Sequence, residues 1–93
     1  MFRHVVLFRV RDHVTDPEVF EAVERLRALE NEAGAVSWRV ELSLDTRKGR
    51  VIIEDATFSD RADFVRFREL PEHRLAGEKL AAIADWSIGD YFI

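Results

Sequence analysis

The chain has 93 residues, no cysteine and a formal net charge of −4. That length makes one domain. The missing thiols exclude disulfides, thiolate metal sites and a cysteine nucleophile, and the acidic balance argues against nucleic acid, whose phosphates need a clustered positive surface. At 47% hydrophobic residues the chain can build a core, yet a domain this small is marginal alone and gains from a partner. No stretch is long and apolar enough to span a bilayer. Val5 to Phe8 is too short a run for a signal peptide. A soluble cytoplasmic protein without membrane contact is the expectation.

Phe2 to Val10 reads as a strand, rich in β-branched and aromatic residues. His4, Val6, Phe8 and Val10 share one face, and Arg3, Val5, Leu7 and Arg9 the other. A helix starts in Thr15-Asp16-Pro17-Glu18, with Asp16 capping ahead of Pro17, or Thr15 capping with Glu18 three residues on. Val19, Phe20, Val23, Leu26 and Leu29 supply its apolar stripe and Gly34 its stop. Val36 to Leu44 alternates as a half-buried strand, with Val36, Trp38, Val40, Leu42 and Leu44 on one side. The polar turn Asp45 to Gly49 leads into a strand over Arg50 to Phe58, making a hairpin. Ser59 is expected to cap a second helix with Phe64, Phe67 and Leu70 inward, which Pro71 breaks. A further helical stretch over Arg74 to Ala84 has Leu75, Leu80 and Ile83 inward, and Trp86 to Ile93 is the last strand.

The order is β-α-β-β-α-β with a short extra helix: an α+β, ferredoxin-like domain in which helices lie on one face of a four-stranded antiparallel sheet. Two helices cover only one face. Val5 and Leu7, and Val51 and Ile53, would lie on the other. Leaving them wet forgoes roughly 1.5–3 kcal/mol each, so a homodimer packed through the sheet face is expected.

Arg3-His4-Val5-Val6-Leu7-Phe8, Thr57-Phe58, Pro71-Glu72-His73 and Asp90-Tyr91 resemble, in order and spacing, the stress-responsive α/β-barrel (Dabb) family. The resemblance covers nearly the whole chain. It implies a single domain over 1–93, a dimeric α+β barrel, and a pocket in each subunit between sheet and helices. Most members have no assigned activity. Some close a polyketide chain by an aldol-type reaction without a cofactor, using a histidine that matches His73 and a tyrosine on the preceding helix. A histidine matching His4 lines their pocket. Phe67 stands at the tyrosine position here, with no hydroxyl, and Leu70 replaces the first histidine of the family's His-Pro-x-His.

Three side chains are candidates for chemistry. A neutral His73 can accept a proton near neutral pH; the alternative is a structural histidine tied to a loop carbonyl. His4 would orient a substrate carbonyl or bond His73, or else is a satisfied core histidine. Glu54 alternates with Ile52, Ala56 and Phe58, which puts it on the face of His4. There it would fix a tautomer and raise basicity, unless a bulge turns it to solvent. A metal on His4, Glu54 and His73 is chemically suitable, but no spacing motif supports it, so neither metal nor cofactor is expected. Val6, Phe8, Phe20, Phe64, Phe67 and Trp86 are the candidate pocket lining, which is also plain core material. Tyr91 has the parity of the opposite face and is placed at the interface or rim. The leading expectation is cofactor-independent acid–base chemistry, cyclase-like, on a small carbonyl or polyketide-like compound. The alternatives are a non-catalytic module for a small hydrophobic ligand or stress protection, and a cofactor-free monooxygenase on the same barrel.

Overall fold

A computed structural model describes residues 1–93. The elements run β1 (Phe2–Val10), α1 (Asp16–Ala28), α2 (Glu30–Ala33), β2 (Ser37–Leu42), β3 (Val51–Phe58), α3 (Arg61–Arg68), α4 (Pro71–Ala81) and β4 (Ala84–Phe92). The strands form one antiparallel sheet in the order β2-β3-β1-β4. This is the ferredoxin-like arrangement expected from the element order.

The sheet sorts its residues by parity. In β1 the row Phe2, His4, Val6, Phe8 and Val10 is buried, and the row Arg3, Val5, Leu7 and Arg9 is not. Helices α1, α3 and α4 cover the first row and close a core that includes Ile52, Phe58, Phe64, Phe67 and Leu80. The second row faces outward beside Val51, Ile53 and Asp55. Val5, Val51 and Ile53 are only half-buried there and Leu7 is 47% exposed. An Arg3–Asp55 pair, with bonds of 2.7 and 2.9 Å, makes part of this open face ionic.

Local chemistry sets the boundaries. Thr15 and Glu18 form a reciprocal capping box at the start of α1, satisfying two otherwise orphaned N–H groups. Gly34, at φ +67°, ends α2 in the left-handed region that glycine adopts without strain. Arg27 Nε donates to the Val40 carbonyl at 3.0 Å and Trp38 Nε1 to the Leu26 carbonyl at 3.2 Å, which fastens α1 to β2. Arg50 donates to the Val14 carbonyl at 2.6 Å and to Asp16 at 2.9 Å, which ties the hairpin to the β1–α1 loop.

Four expectations need correction. Asp60, not Ser59, caps α3, its carboxylate accepting from the Asp63 N–H. Pro71 begins α4 instead of only ending α3: proline fits the first helical turn, where its missing N–H has no partner to lose. The strand β2 stops at Leu42, and Leu44 is fully exposed. Leu75 points outward at 50% exposure, and Ala76 and Leu80 hold the inner face of α4.

A polar cluster beneath an apolar pocket

The early start of α4 decides the site. His73 lies in its first turn, half-buried over the sheet, and not in a loop. Opposite it, β1 carries His4 and β3 carries Glu54. Glu54 pairs with Val6 on one side and Val40 on the other in an uninterrupted register, so no bulge turns it away. His4 is 4% exposed and Glu54 2%. On the edge strand β4, Asp90 pairs with His4 and so shares its face.

These residues form a chain of contacts. His4 Nδ1 lies 2.6 Å from Asp90 Oδ1, and His4 Nε2 lies 3.2 Å from Glu54 Oε2. A neutral imidazole has one N–H, yet both ring nitrogens face carboxylate oxygens; only the imidazolium donates to both. Burial opposes the charge, but the hydrogen bonds to Glu54 and Asp90 outweigh it, and the pKa of His4 rises above its usual 6.5. Protonated, His4 is a buried cation held between two carboxylates. With both nitrogens engaged as donors, it is not placed to accept a proton.

His73 is the opposite case. Burial pushes its pKa below 6.5, the charges of His4 and Arg68 press the same way, and Glu54 with the Arg68 carbonyl opposes them. Its ring meets the edge of Phe67 at 4.7 Å between centroids. The Arg68 backbone carbonyl is close enough to favour the protonated ring.

A cavity of about 140 Å³ lies between these two imidazoles. The sheet contributes His4, Val6, Phe8 and Glu54, with Trp86, Ile88 and Asp90 from the edge strand. Above them, α3 gives Phe64 and Arg68, and α4 gives His73, Ala76, Gly77 and Leu80, with Leu26 and Leu29 of the α1 end behind. Phe64 packs on the His4 ring at 4.5 Å. Of the expected lining, Val6, Phe8, Phe64 and Trp86 are present. Phe67 is in the core behind His73, 1% exposed. Phe20 is a correction: it is 67% exposed and borders a separate surface groove with Leu42 and Arg50. Tyr91 is on the outward face, paired with Arg3. Asp90 and Arg68 were not singled out as site residues. The parity of β4, which puts Asp90 opposite Tyr91, was the available signal for Asp90; nothing in the sequence signalled Arg68. No group of three or more His, Asp or Glu side chains is arranged to hold a metal ion.

The sheet order, the helices on one face and the pocket between them define a ferredoxin-like α+β domain of the barrel-forming kind. The chain belongs to the stress-responsive A/B barrel domain family, whose model matches residues 2–93. No protein of curated function matches it in sequence. Among solved structures, it is similar to a dimeric protein of unknown function and ferredoxin-like fold from Bacteroides fragilis, at 26% identity and a TM-score of 0.83, covering 99% of this chain and 95% of that one. A hydroxynitrile lyase from Passiflora edulis has 20% identity and a TM-score of 0.85, covering 99% and 92%. SnoaB, a cofactor-independent oxygenase from Streptomyces nogalater, has 19% identity and a TM-score of 0.75, covering 99% and 91%. At these last two identities the likeness is one of fold.

Proposed function

We propose that this chain is one subunit of a cytoplasmic homodimer whose pocket performs cofactor-independent proton transfer on a small carbonyl compound. The observation that carries the reading is the pair of imidazoles lining one apolar cavity, His4 set between the Glu54 and Asp90 carboxyl groups and His73 half-buried away from them, an arrangement that raises the pKa of the first and lowers that of the second. His73 is the base. One of its ring nitrogens takes a proton from the carbon next to the carbonyl, and the C–H electrons pass into the enolate. Glu54, buried at the cavity wall, stabilises the imidazolium that His73 becomes. His4 is a positioning residue that aims Glu54, and Asp90 holds the other side of the His4 ring. The volume, close to the ~150 Å³ that accommodates benzene, suits a molecule of about one ring and is small for an extended polyketide chain.

Gly77 supports a ligand role. It lies inside α4, where glycine costs about 1 kcal/mol relative to alanine. An added Cβ there would meet nothing within 4 Å. Packing does not require the glycine, which lines the pocket.

Homodimerisation is supported by the half-apolar outer sheet face and by relatives described as dimeric. The test of the chemistry is solvent deuterium exchange at the α-carbon of acetophenone and similar one-ring ketones. Exchange above background should fall by about 10²–10⁴ in His73→Ala, while ketone binding persists. Ketones that bind and never exchange would instead support the non-catalytic binding module.

A further inference from the structure

Most arginines of the chain are held by a carboxylate. Arg68, at the end of α3, has no such partner although it borders the pocket. Its guanidinium carbon stands 5.4 Å from the centre of the Phe64 ring, the same ring that packs against His4. A cation over an aromatic face is held in place while its N–H donors remain free. The nearby negative charge is already engaged, since Glu54 and Asp90 both contact His4. A neutral ligand would leave Arg68 unanswered. An anionic one would meet the single cation at the pocket without an anion of its own.

We propose that Arg68 is the specificity-determining anion binder of this pocket, and that the natural ligand is a one-ring-sized molecule carrying a negatively charged oxygen, a carboxylate or an enolate. The ring lies inward against Val6, Phe8, Trp86 and Leu80, and the charged oxygen lies at the mouth. This rests on the proton-transfer reading above and deepens it. Enolisation at His73 moves an electron pair onto the carbonyl oxygen, and a guanidinium beside that oxygen stabilises the charge where it develops. Phe67, next in the chain, offers no donor for that task.

The simpler explanation is an arginine stem laid over Phe64 as a cover. Arg68→Met separates the two, because it keeps an apolar stem and removes the charge. The probes are benzoate and its uncharged isostere benzamide, with binding to the intact protein measured by calorimetry and by NMR shifts of the pocket residues. Wild-type protein should prefer benzoate by about ten- to a hundredfold, as a charge-assisted bond supplies, and Arg68→Met should bind the two alike. Removing the charge should also raise the midpoint of His73, which faces Arg68, Glu54 and His4, by NMR titration. Equal wild-type binding of the two probes would overturn the assignment and leave the proton-transfer reading standing. A preference for benzoate that survives in Arg68→Met would also overturn it, since another group would then hold the anion. If neither probe enters the pocket, the ligand assignment falls together with the reading beneath it.

Discussion

His4 carries the most consequential local arrangement in the molecule. A histidine whose folded pKa is raised above 6.5 stabilises the fold fully below that value, and the contribution is lost as pH rises through the folded value. Glu54→Gln removes the charge from one of the two acceptors that hold the proton. It should destabilise the protein by about 1.5–3 kcal/mol at about pH 6, with a smaller difference at about pH 9, in urea unfolding followed by circular dichroism. A loss of equal size at both pH values would mean that His4 is neutral in the fold. Strand alternation in the sequence put Glu54 and His4 on one face. It did not yield the contact between Asp90 and His4, which spans 86 positions and depends on how β4 is registered on β1. Alternation tells which residues share a face and is silent about which of them meet.

Helix α4 shows what period and punctuation leave open. Proline was read as a stop, when it also starts the next helix, and that one turn turns His73 from a loop residue into a fixed wall of the pocket. In α1 the apolar stripe was legible, but its centre was not. Val19, Ala22, Val23 and Leu26 are buried, and Phe20, one position off that line, faces out. Helical spacing fixes the width of a stripe more firmly than its direction, and for a stripe with a residue to spare on one side the tertiary contacts choose. Gly77 offers an element-level test. Gly77→Ala should stabilise α4 by about 1 kcal/mol, raising Tm by roughly 4–8 °C, and should weaken benzamide or ketone binding by narrowing the cavity. A stabilised variant with unchanged binding would show that the space beside Gly77 holds no ligand.

At the scale of the whole molecule, the sequence disclosed the ferredoxin-like class and the existence of an uncovered face, because both follow from element order and strand parity. Its ionic part, the Arg3–Asp55 pair, was not foreseen. Leu7 sits between Ile53 and Ser87 on that face, and a second copy packed there would bury it. Leu7→Glu would then place an unpaired charge in a dry interface, a cost of several kcal/mol. Sedimentation at micromolar concentration should find a dimer for the wild-type chain and folded monomers for Leu7→Glu. A variant that sediments like the wild type would remove the sheet face as the interface.

The proposed chemistry needs two histidines in opposite protonation states across one cavity. Long-range proton–nitrogen NMR of the imidazoles, followed through a pH titration, reads both directly. We expect His4 to stay doubly protonated to a pH above 6.5 and His73 to be singly protonated at that pH, with its midpoint below. A His4 that loses its proton before His73 does would contradict the charge arrangement from which the base, its carboxylate partner and the proposed chemistry all follow.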